Sequence, residues 1–464
     1  MIRSRVYFHL ALGAVCLLSA ACLVGPNYSK PVLPVPDTFR GGAGSSAAAL
    51  ADAKWWDVFA DEQLQALVKT ATTENYAVRV AAARVLQAEA QLGITRADQY
   101  PSVDADVQAG GQRTPAAGTT EARTAAAVLL RGRAAWELDF WGRFRRETEA
   151  ARARLLSTRW GQRAVMSSLV SRVADSYFTL RALDLELDVS RRTLTSRKES
   201  LDLARIREQG GATSLVDVRQ AEQLVYSAAA TIVDFERLVE QQENLISVLV
   251  GGFPGAVTRG RDLTSQPHAP DVPAGLPSSL LERRPDIQGA EQDLIAANAE
   301  IGVARAAYFP SITLTGSGGV QSTALGALFS GGAGAWSAIA GLTQPLFTGG
   351  RTRSQVALAE ARRTEAALRY EQIIKQAFRE VSDALVGYRK AREFREQQEL
   401  LLAAAQDGRR LADIRYRGGA TSYLEVLDSE TRLFDAELSL ADARLSELTD
   451  FVELYRALGG GWQP

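Results

Sequence analysis

The apolar positions of this chain recur every three or four residues over two very long stretches. One such face consists of Ala366, Tyr370, Ile373, Ala377, Val381, Ala384 and Tyr388. This is the period of an α-helix, and no proline lies between Pro115 and Pro254 or between Pro345 and Pro464. The pattern predicts helices over Arg143–Gln209 and Arg351–Arg417, each reaching about 100 Å at ~1.5 Å per residue. Helices of this length indicate coiled-coil-like packing or a helical wall.

Each predicted long helix ends in the same five residues, GGATS, first at residues 210–214 and then at residues 418–422. Glycine just past a helix end adopts the left-handed conformation that stops the helix. The glycines at these positions are Gly210, Gly211, Gly418 and Gly419. GGATS is therefore predicted to be a tight turn, from which a second helix departs antiparallel to the first.

The serine of each GGATS turn is predicted to cap the helix that follows. Ser214 is followed three positions later by Asp217, and Ser422 is followed by Glu425. An acid at this spacing predicts a capping box in both turns. Capping alone would explain both carboxylates, and that alternative stays open beside any functional role.

The sequence around the turns repeats as well. WGRFRR from Trp141 aligns with GGRTRS from Gly349 at the 208-residue spacing of the turns. AEAQLGITRADQYPSVDADV from Ala88 aligns with ANAEIGVARAAYFPSITLTG from Ala297 at a spacing of 209. The chain is thus predicted to contain two copies of helix, strand pair, long helix, turn and long helix. The copies are assigned to residues 63–250 and 278–459, with a linker at 251–277 and a tail at 460–464.

Segments of alternating character lie between the helices of each copy. Val103, Ala105 and Val107 alternate with polar residues, as in lipid-facing barrel strands with aromatic residues at their ends. The segments are SVDADVQAG, AAAVLLRGRAAWELDFW, SITLTGSGG and AGAWSAIAGLTQPLF, and the aromatic residues are Tyr100, Trp136, Phe140, Trp141, Tyr308, Phe309, Trp336 and Phe347. Val320–Gly332 is interpreted as a surface loop. The edge of a soluble sandwich is the alternative interpretation of these strands.

A membrane interpretation of the strands requires several copies of the chain. Four strands cannot close a barrel, and an open sheet edge is not viable in lipid. Three copies would supply about twelve strands, within the usual range of about 8 to 26. The predicted fold class is mainly α with a small β part. Its parts are long helical hairpins, four strands per chain and an internal two-fold repeat.

The N-terminus is typical of a secreted bacterial lipoprotein. Residues 1–21 carry Arg3 and Arg5 before an apolar run and small residues, which predicts a signal peptide. Cleavage would leave Cys22 directly behind LSAA, and its thiol is predicted to be acylated and to hold the chain on a membrane. Plain cleavage with an unmodified thiol is the alternative. Residues 22–62 begin with a proline-rich stretch and are predicted to form a lipid-anchored extended arm.

Composition narrows the function classes. The net charge is −1, so the basic footprint of a nucleic-acid-binding protein is absent. The two histidines are His9 and His268, which argues against a catalytic or metal centre built on imidazoles. The sequence offers no grouping of nucleophile and base and no phosphate loop. It therefore predicts neither an enzyme nor a metal or cofactor site.

Several longer motifs together resemble the outer-membrane factors of tripartite efflux pumps, in their TolC-like, NodT-type lipoprotein branch. The motifs are VGPNYSKP, WWDVF, LLERRPDIQGAEQDLIAANAEIGVARAAYFPSITLTG, QPLFTGGR and RYRGGATSYLEVLDSE. The resemblance implies a homotrimer in the outer membrane of a Gram-negative bacterium. Four strands from each protomer would form a trimeric transmembrane β-barrel of about twelve strands, and the long helical hairpins would form an α-barrel that extends into the periplasm. It implies a periplasmic adaptor protein and an inner-membrane pump as partners, and passive export of small molecules such as drugs.

The resemblance also implies a gate at the two GGATS turns, ringed by carboxylates and held by hydrogen bonds and charge pairs. The gate residues would be Tyr416, Glu425, Asp428, Asp217, Thr421 and Arg417, with Arg415 as a further cation, and the adaptor contacts would be Gly210, Gly211, Gly418, Gly419, Ser214 and Ser422. Thr421 stands where the family has its gate arginine, while Glu208 and Gln220 replace the tyrosine and the second acid in the first copy. Helix packing alone would explain Tyr416. A periplasmic coiled-coil lipoprotein without a pore is the alternative function.

Overall fold

Long helices dominate the structure. It is a computed structural model that describes residues 23–40, 54–115, 123–266 and 277–462. In chain order the elements are α1 (Trp55–Val58), α2 (Glu62–Glu74), α3 (Tyr76–Ala97), β1 (Ser102–Thr114), β2 (Arg123–Leu138), α4 (Arg143–Gln209), α5 (Leu215–Leu249), α6 (Pro277–Arg283), α7 (Pro285–Ala306), β3 (Ser311–Ser322), β4 (Gly334–Thr343), α8 (Arg351–Arg417) and α9 (Tyr423–Ala457). The predicted signal peptide and Cys22 lie outside the described residues. Within the described residues, no helix has the length and apolar character needed to cross a membrane.

The helices confirm the internal repeat. α3 and α7 each contain 22 residues, α4 and α8 each contain 67, and α5 and α9 each contain 35. The bounds predicted for α4 and α8 are the observed ones. The apolar face predicted on α8 is buried at Tyr370, Ala377 and Val381. The sequence period therefore reflects helix packing.

The chain divides into two structural units, and the long helices α4 and α8 contribute to both. The first unit comprises Met1–Val32, Arg84–Thr158 and Gly289–Tyr370, and the second comprises Leu33–Ala83, Arg159–Gln288 and Glu371–Pro464. The strands belong to the first unit. Both GGATS turns belong to the second.

The first unit contains one antiparallel sheet with the strand order β1-β2-β3-β4. Val107 lies opposite Leu130, and Leu130 lies opposite Val320, so apolar side chains of neighbouring strands share one face. This face contains Val103, Ala105, Val107, Leu130, Ala134, Trp136, Leu138, Ile312, Leu314, Val320, Trp336, Ala338, Ala340 and Leu342. Trp336 is 83% exposed and Val103 is 75% exposed. The predicted alternation is confirmed, and its apolar side is largely uncovered.

The opposite face of the sheet is polar. Arg131 and Asp106 form an ion pair between β1 and β2, with Nε and Oδ1 2.9 Å apart. Ser317 and Ser337 share a hydrogen bond between β3 and β4. β1 and β4 are the outer strands, and each has one edge without a strand partner among the described residues. The sheet thus combines two unlike faces with two open edges.

The loop predicted from Val320 to Gly332 begins later than predicted. β3 continues to Ser322, because Val320 pairs with both Leu130 and Gly334, so the loop prediction is wrong for the first three residues. A 3₁₀ turn at Leu325–Ala327 follows. Gly318 and Gly319 lower the strand propensity of this part of the chain. For this reason the strand was predicted to end at Gly319.

Aromatic residues gather where the strands meet the helices. Trp141 stacks on Phe309 with ring centroids 4.7 Å apart, and its indole donates to the Pro310 carbonyl at 2.8 Å. The indole of Trp136 donates to the Gln99 carbonyl at 3.0 Å. Each indole combines an apolar body with a hydrogen-bonded tip, as side chains of a membrane interface do. The structure thus places Trp136, Trp141 and Phe309, three of the aromatic residues predicted at the strand ends, close to those ends.

Residues 23–32 form an extended arm that is fixed to the first unit. The buried Arg146 donates to the carbonyls of Val24 and Gly25, at 3.2 and 3.3 Å, and to Asn27 Oδ1 at 2.8 Å. Gly25 has a φ of +100°, and a Cβ there would lie 2.5 Å from the Gly302 Cα. Only glycine fits this close approach. The segment directly behind Cys22 is therefore held in place.

Candidate functional site

The two GGATS turns have the same backbone. In the first turn, the amide of Gly211 donates to the Glu208 carbonyl at 2.9 Å, and the amide of Ala212 donates to the Arg207 carbonyl at 2.8 Å. These two bonds form a Schellman motif, which satisfies carbonyl groups at a helix C-terminus. The second turn makes the equivalent bonds at 3.0 and 2.8 Å. The sequence repeat is therefore a structural repeat.

Only the second glycine of each pair is required by backbone geometry. Gly211 and Gly419 have φ values of +70° and +73°, in the left-handed region that other residues adopt at a cost. A Cβ on Gly210 or Gly418 would lie 3.6 or 3.4 Å from its nearest neighbour. The left-handed conformation predicted for these glycines is thus confirmed for Gly211 and Gly419 alone.

The helix starts after the two turns differ. Ser214 Oγ accepts from the Asp217 amide at 3.4 Å, and the Asp217 carboxylate accepts from the Ser214 amide at 3.2 Å, so the first capping box is confirmed. The side chain of Ser422 makes no capping hydrogen bond, so the prediction of a second capping box is wrong. The side chain of Glu425 is one methylene longer, and its carboxylate engages Thr421 instead of the cap.

The threonine of each turn binds the acid of the following helix. The Thr213 hydroxyl donates to Asp217 Oδ2, and the Thr421 hydroxyl donates to Glu425 Oε2. The Thr213 bond, together with Ser214, holds the pKa of Asp217 below its usual range against the opposing effect of partial burial. Thr421 therefore contacts a carboxylate at the position where the resemblance expected an arginine.

Two arginines that precede the second turn have different partners. Arg415 Nη1 lies 3.2 Å from Glu425 Oε1, which confirms Arg415 as a cation beside the turn. Arg417 Nε lies 3.0 Å from Asp413 Oδ2 in the same helix. Arg415 thus links the end of α8 to the start of α9, whereas the Arg417 ion pair stays within α8.

Asp428 and Asp217 complete the set of predicted acids. Asp428 Oδ2 lies 2.7 Å from Arg432 Nε in its own helix, and its side chain is 59% exposed. Within the described part of the chain, no lysine or arginine nitrogen lies within 4.0 Å of the Asp217 carboxylate. The structure therefore brings the acids to one end of the helices but gives each a different partner.

The two turns lie side by side in the second unit. A buried cluster joins all four long helices through Leu201, Ala204, Val218, Ala221, Val225, Ala412, Tyr416, Tyr423, Val426 and Leu427. The ring of Tyr416 lies 5.2 Å from that of Tyr423, and the Arg207 guanidinium lies 4.4 Å from the Tyr416 ring centre. The Tyr416 hydroxyl is buried without a hydrogen-bond partner among the described residues, and burial raises its pKa. Packing explains the ring of Tyr416 but leaves its hydroxyl unexplained.

The sequence interpretation missed exposed apolar side chains that occur at equivalent positions beside both turns. Ile206 and Val216 flank the first turn and are 66% and 63% exposed, while Ile414 and Leu424 flank the second and are 56% and 61% exposed. Exposed apolar groups gathered at one place are typical of a protein–protein contact. The repeat could have identified them, because both pairs recur at the 208-residue spacing.

Comparison with known proteins identifies the family. A model of the outer membrane efflux protein family matches residues 67–252 and 276–460. The chain belongs to the outer membrane efflux protein family. It is 38% identical over 463 residues to the antibiotic efflux pump outer membrane protein ArpC of Pseudomonas putida, covering 98% of this chain and 95% of that protein. It is 34% identical over 451 residues to the cation efflux system protein CusC of Escherichia coli, covering 96% and 98%.

A solved structure of the same family has a similar fold. The open state of the MtrE outer membrane channel of Neisseria gonorrhoeae matches with a TM-score of 0.88 and 32% identity, over 95% of this chain and 99% of that one. Membership in this family confirms the predicted resemblance, the fold class and the outer-membrane location. The chain is an outer-membrane channel component of an efflux system.

Proposed function

We propose that three copies of this chain form a passive duct through the outer membrane. The observation that carries the proposal is the sheet, which has one uncovered apolar face and two open edges. An open edge leaves backbone groups without partners, and lipid offers none. Pairing of β4 with β1 of the next copy would satisfy both edges and close a barrel of about twelve strands. Cys22, outside the described residues, would add acyl chains as an anchor.

The second part of the proposal concerns the GGATS turns, which would form the periplasmic end of the duct. Three copies would bring six turns together. The exposed Ile206, Val216, Ile414 and Leu424 supply apolar contacts of the kind that a helical adaptor protein buries. The glycines and serines of the turns would lie in the same contact. An inner-membrane pump would supply the energy, since the duct itself has no step that requires catalysis.

Opening of this end is proposed to be a population shift between two helix arrangements. The Arg415–Glu425 pair spans α8 and α9, and Arg207 and Tyr416 span the two hairpins. Movement of one hairpin relative to the other would break the Arg207–Tyr416 contacts, and separation of α8 from α9 at the turn would break the Arg415–Glu425 pair. Adaptor binding would favour the arrangement in which they are broken.

Small toxic molecules are the proposed cargo. ArpC carries the name of an antibiotic pump component, and CusC carries that of a cation system. Related ducts thus serve chemically different substrates. Selection of the substrate is therefore assigned to the inner-membrane pump, while the duct sets only size and charge preferences.

The native mass of the detergent-extracted mature protein tests the duct. Three copies are expected, because only an oligomer closes these strands into a barrel. A stable monomer would leave the apolar face and both edges without partners. That result would end the duct proposal and favour the periplasmic coiled-coil alternative.

Ion selectivity tests the proposed ring of acids. Asp428 is exposed beside the second turn, and a ring of carboxylates favours cations. Asp428→Asn is expected to lower the cation preference of single channels in a planar bilayer. Asp413→Asn, which changes an acid paired with Arg417, is the matched control. An unchanged reversal potential in Asp428→Asn would exclude Asp428 from the conducting path.

A further inference from the structure

A small cavity of about 190 Å³ lies in the second unit, where α4, α8 and α9 meet. α4 contributes Arg192 and Arg197, α8 contributes Arg409, and α9 contributes Phe434 and the two carboxylates Glu430 and Glu437. Three guanidinium groups therefore surround a space that is large enough for several atoms. Such a concentration of donors requires negative charge or acceptors opposite them.

Arg197 is the buried member of this group, with 4% of its surface exposed. Its Nη1 donates to the Leu224 carbonyl at 2.9 Å, and its guanidinium lies 5.0 Å from the Phe434 ring centre. Its Nε is buried without a hydrogen-bond partner, and no carboxylate oxygen of the described residues lies within 4.0 Å of the guanidinium. Burial lowers the pKa of Arg197, as expected for a cation without a direct counter-charge.

The carboxylates beside the cavity form their ion pairs with the other two arginines and not with Arg197. Glu430 Oε1 lies 3.5 Å from Arg409, and Glu437 Oε1 lies 3.7 Å from Arg192. Burial raises the pKa of both carboxyl groups, while the neighbouring arginines act in the opposite direction. Glu430 and the exposed Asp435 attract Arg197 only from beyond contact distance, and both favour its charged form. The buried Arg197 guanidinium therefore has two carboxylates nearby but none of the described residues' carboxylates in direct contact.

We propose that this cavity binds a small oxyanion, with Arg197 Nε as the central donor. Arg409, whose Nη2 donates to Ser196 at 3.1 Å, and Arg192 provide further donors around the same space. Carboxylate and phosphate oxygens match the planar donors of a guanidinium. Arg197 also binds α5 through the Leu224 carbonyl, and Arg409 belongs to α8. A bound anion thus links the two helical hairpins of one protomer.

Calorimetric titration of the detergent-extracted protein with inorganic phosphate, and separately with acetate, tests this site at constant ionic strength. Saturable binding of at least one of these anions is expected, with chloride as the negative probe. Arg197→Met is expected to weaken binding by about 10- to 100-fold, the contribution of a charge-assisted hydrogen bond. Arg409→Gln is expected to weaken it less. Arg191→Met is the matched control, because Arg191 is an exposed α4 arginine that pairs with Glu236.

The titration results either support the anion site or overturn it. Stronger binding of phosphate identifies a tetrahedral ligand, and stronger binding of acetate identifies a carboxylate; either supports the site. No saturable heat with either anion, or unchanged affinity in Arg197→Met, would overturn it. Without anion, Arg197→Met is expected to unfold at the same or a higher temperature, because it replaces a buried charge that has no direct ion-pair partner by an apolar chain. Because the site lies within one protomer, an absence of anion binding would not contradict the proposed trimeric duct.

Discussion

The two GGATS turns share one backbone but use their acids differently. In both, a left-handed glycine and the same two amide–carbonyl bonds close the long helix. In the first turn, Asp217 folds back onto its own cap amide. In the second, Glu425 leaves the cap and pairs with Arg415. Glycine therefore sets the shape of the turn, whereas side-chain length and the nearest cation set the use of the carboxylate.

The two acids therefore have different roles: Asp217 acts within its own turn, whereas Glu425 connects two helices. The bonds of Asp217 involve Thr213 and Ser214, within its own turn, so they stabilise the start of one helix. Glu425 connects the end of α8 to the start of α9. On the proposed function, the second turn therefore carries an electrostatic contact that movement of the helices would break. The first turn acts mainly as a rigid support.

Alanine at the left-handed glycines is expected to have the largest effect and to act equally on both turns. Gly211→Ala and Gly419→Ala should each lower the local opening free energy of their turn by about 1–2 kcal/mol, which is the cost of placing a residue with a Cβ in the left-handed region. Gly210→Ala and Gly418→Ala are the matched controls and should change this free energy much less. Hydrogen–deuterium exchange of the turn amides measures the local opening free energy. Equal effects at both glycines of a pair would contradict the geometry.

Removal of the cap serines should expose the difference between the turns. Ser214→Ala should destabilise the start of α5 by about 1 kcal/mol, because Ser214 makes the capping bond. Ser422→Ala should have almost no effect on α9, because its side chain makes no such bond. Hydrogen–deuterium exchange rates of the amides in the first turn of α5 and of α9 measure the effects of the two substitutions. A similar loss at both would mean that the second capping box forms in solution.

Tyr416→Phe tests a feature that only the second turn has, since Glu208 stands at the equivalent position. The Tyr416 hydroxyl is buried without a partner among the described residues, so its removal should stabilise the chain by up to about 1 kcal/mol. Thermal unfolding of the extracted protein measures this, with the exposed Tyr226→Phe as the control. A clear loss of stability would instead indicate that the hydroxyl binds another protomer in the assembly.

Much of the fold was predictable because it depends on repeated local signals. The helix bounds follow from the apolar period and from glycine, and the strand faces follow from alternation at residues such as Val103 and Val107. The strand ends were predicted less well. β1 and β3 continue past Gly110 and Gly319, to Thr114 and Ser322, while β2 and β4 end earlier than predicted, at Leu138 and Thr343. Glycine has no side chain to indicate a face of the sheet, and pairing with the neighbouring strands outweighs its low strand propensity.

The site was predictable in its position but not in its contacts. The repeat placed both turns, yet nothing in the sequence distinguished Asp217 from Glu425 as capping acids. The outcome depends on one methylene and on Arg415, which lies on a different helix. The neighbouring Arg417 pairs within its own helix instead. Such competition between close partners is decided by three-dimensional geometry, which the spacing of residues does not contain.

The smallest expected effect is a pH dependence confined to the first turn. The pKa of Asp217 is held below its usual range, mainly by the Thr213 hydroxyl, so the folded turn favours the ionised carboxylate. Its contribution is therefore present above the unfolded pKa of about 4 and is lost as the pH falls through the lower folded value. Exchange of the first-turn amides, corrected for intrinsic rates, should show this loss in the wild type. Asp217→Asn should have weaker protection above pH ~4 and no such dependence. If Asp217→Asn kept the same pH profile, another group would be responsible, and the local role assigned to Asp217 would be wrong.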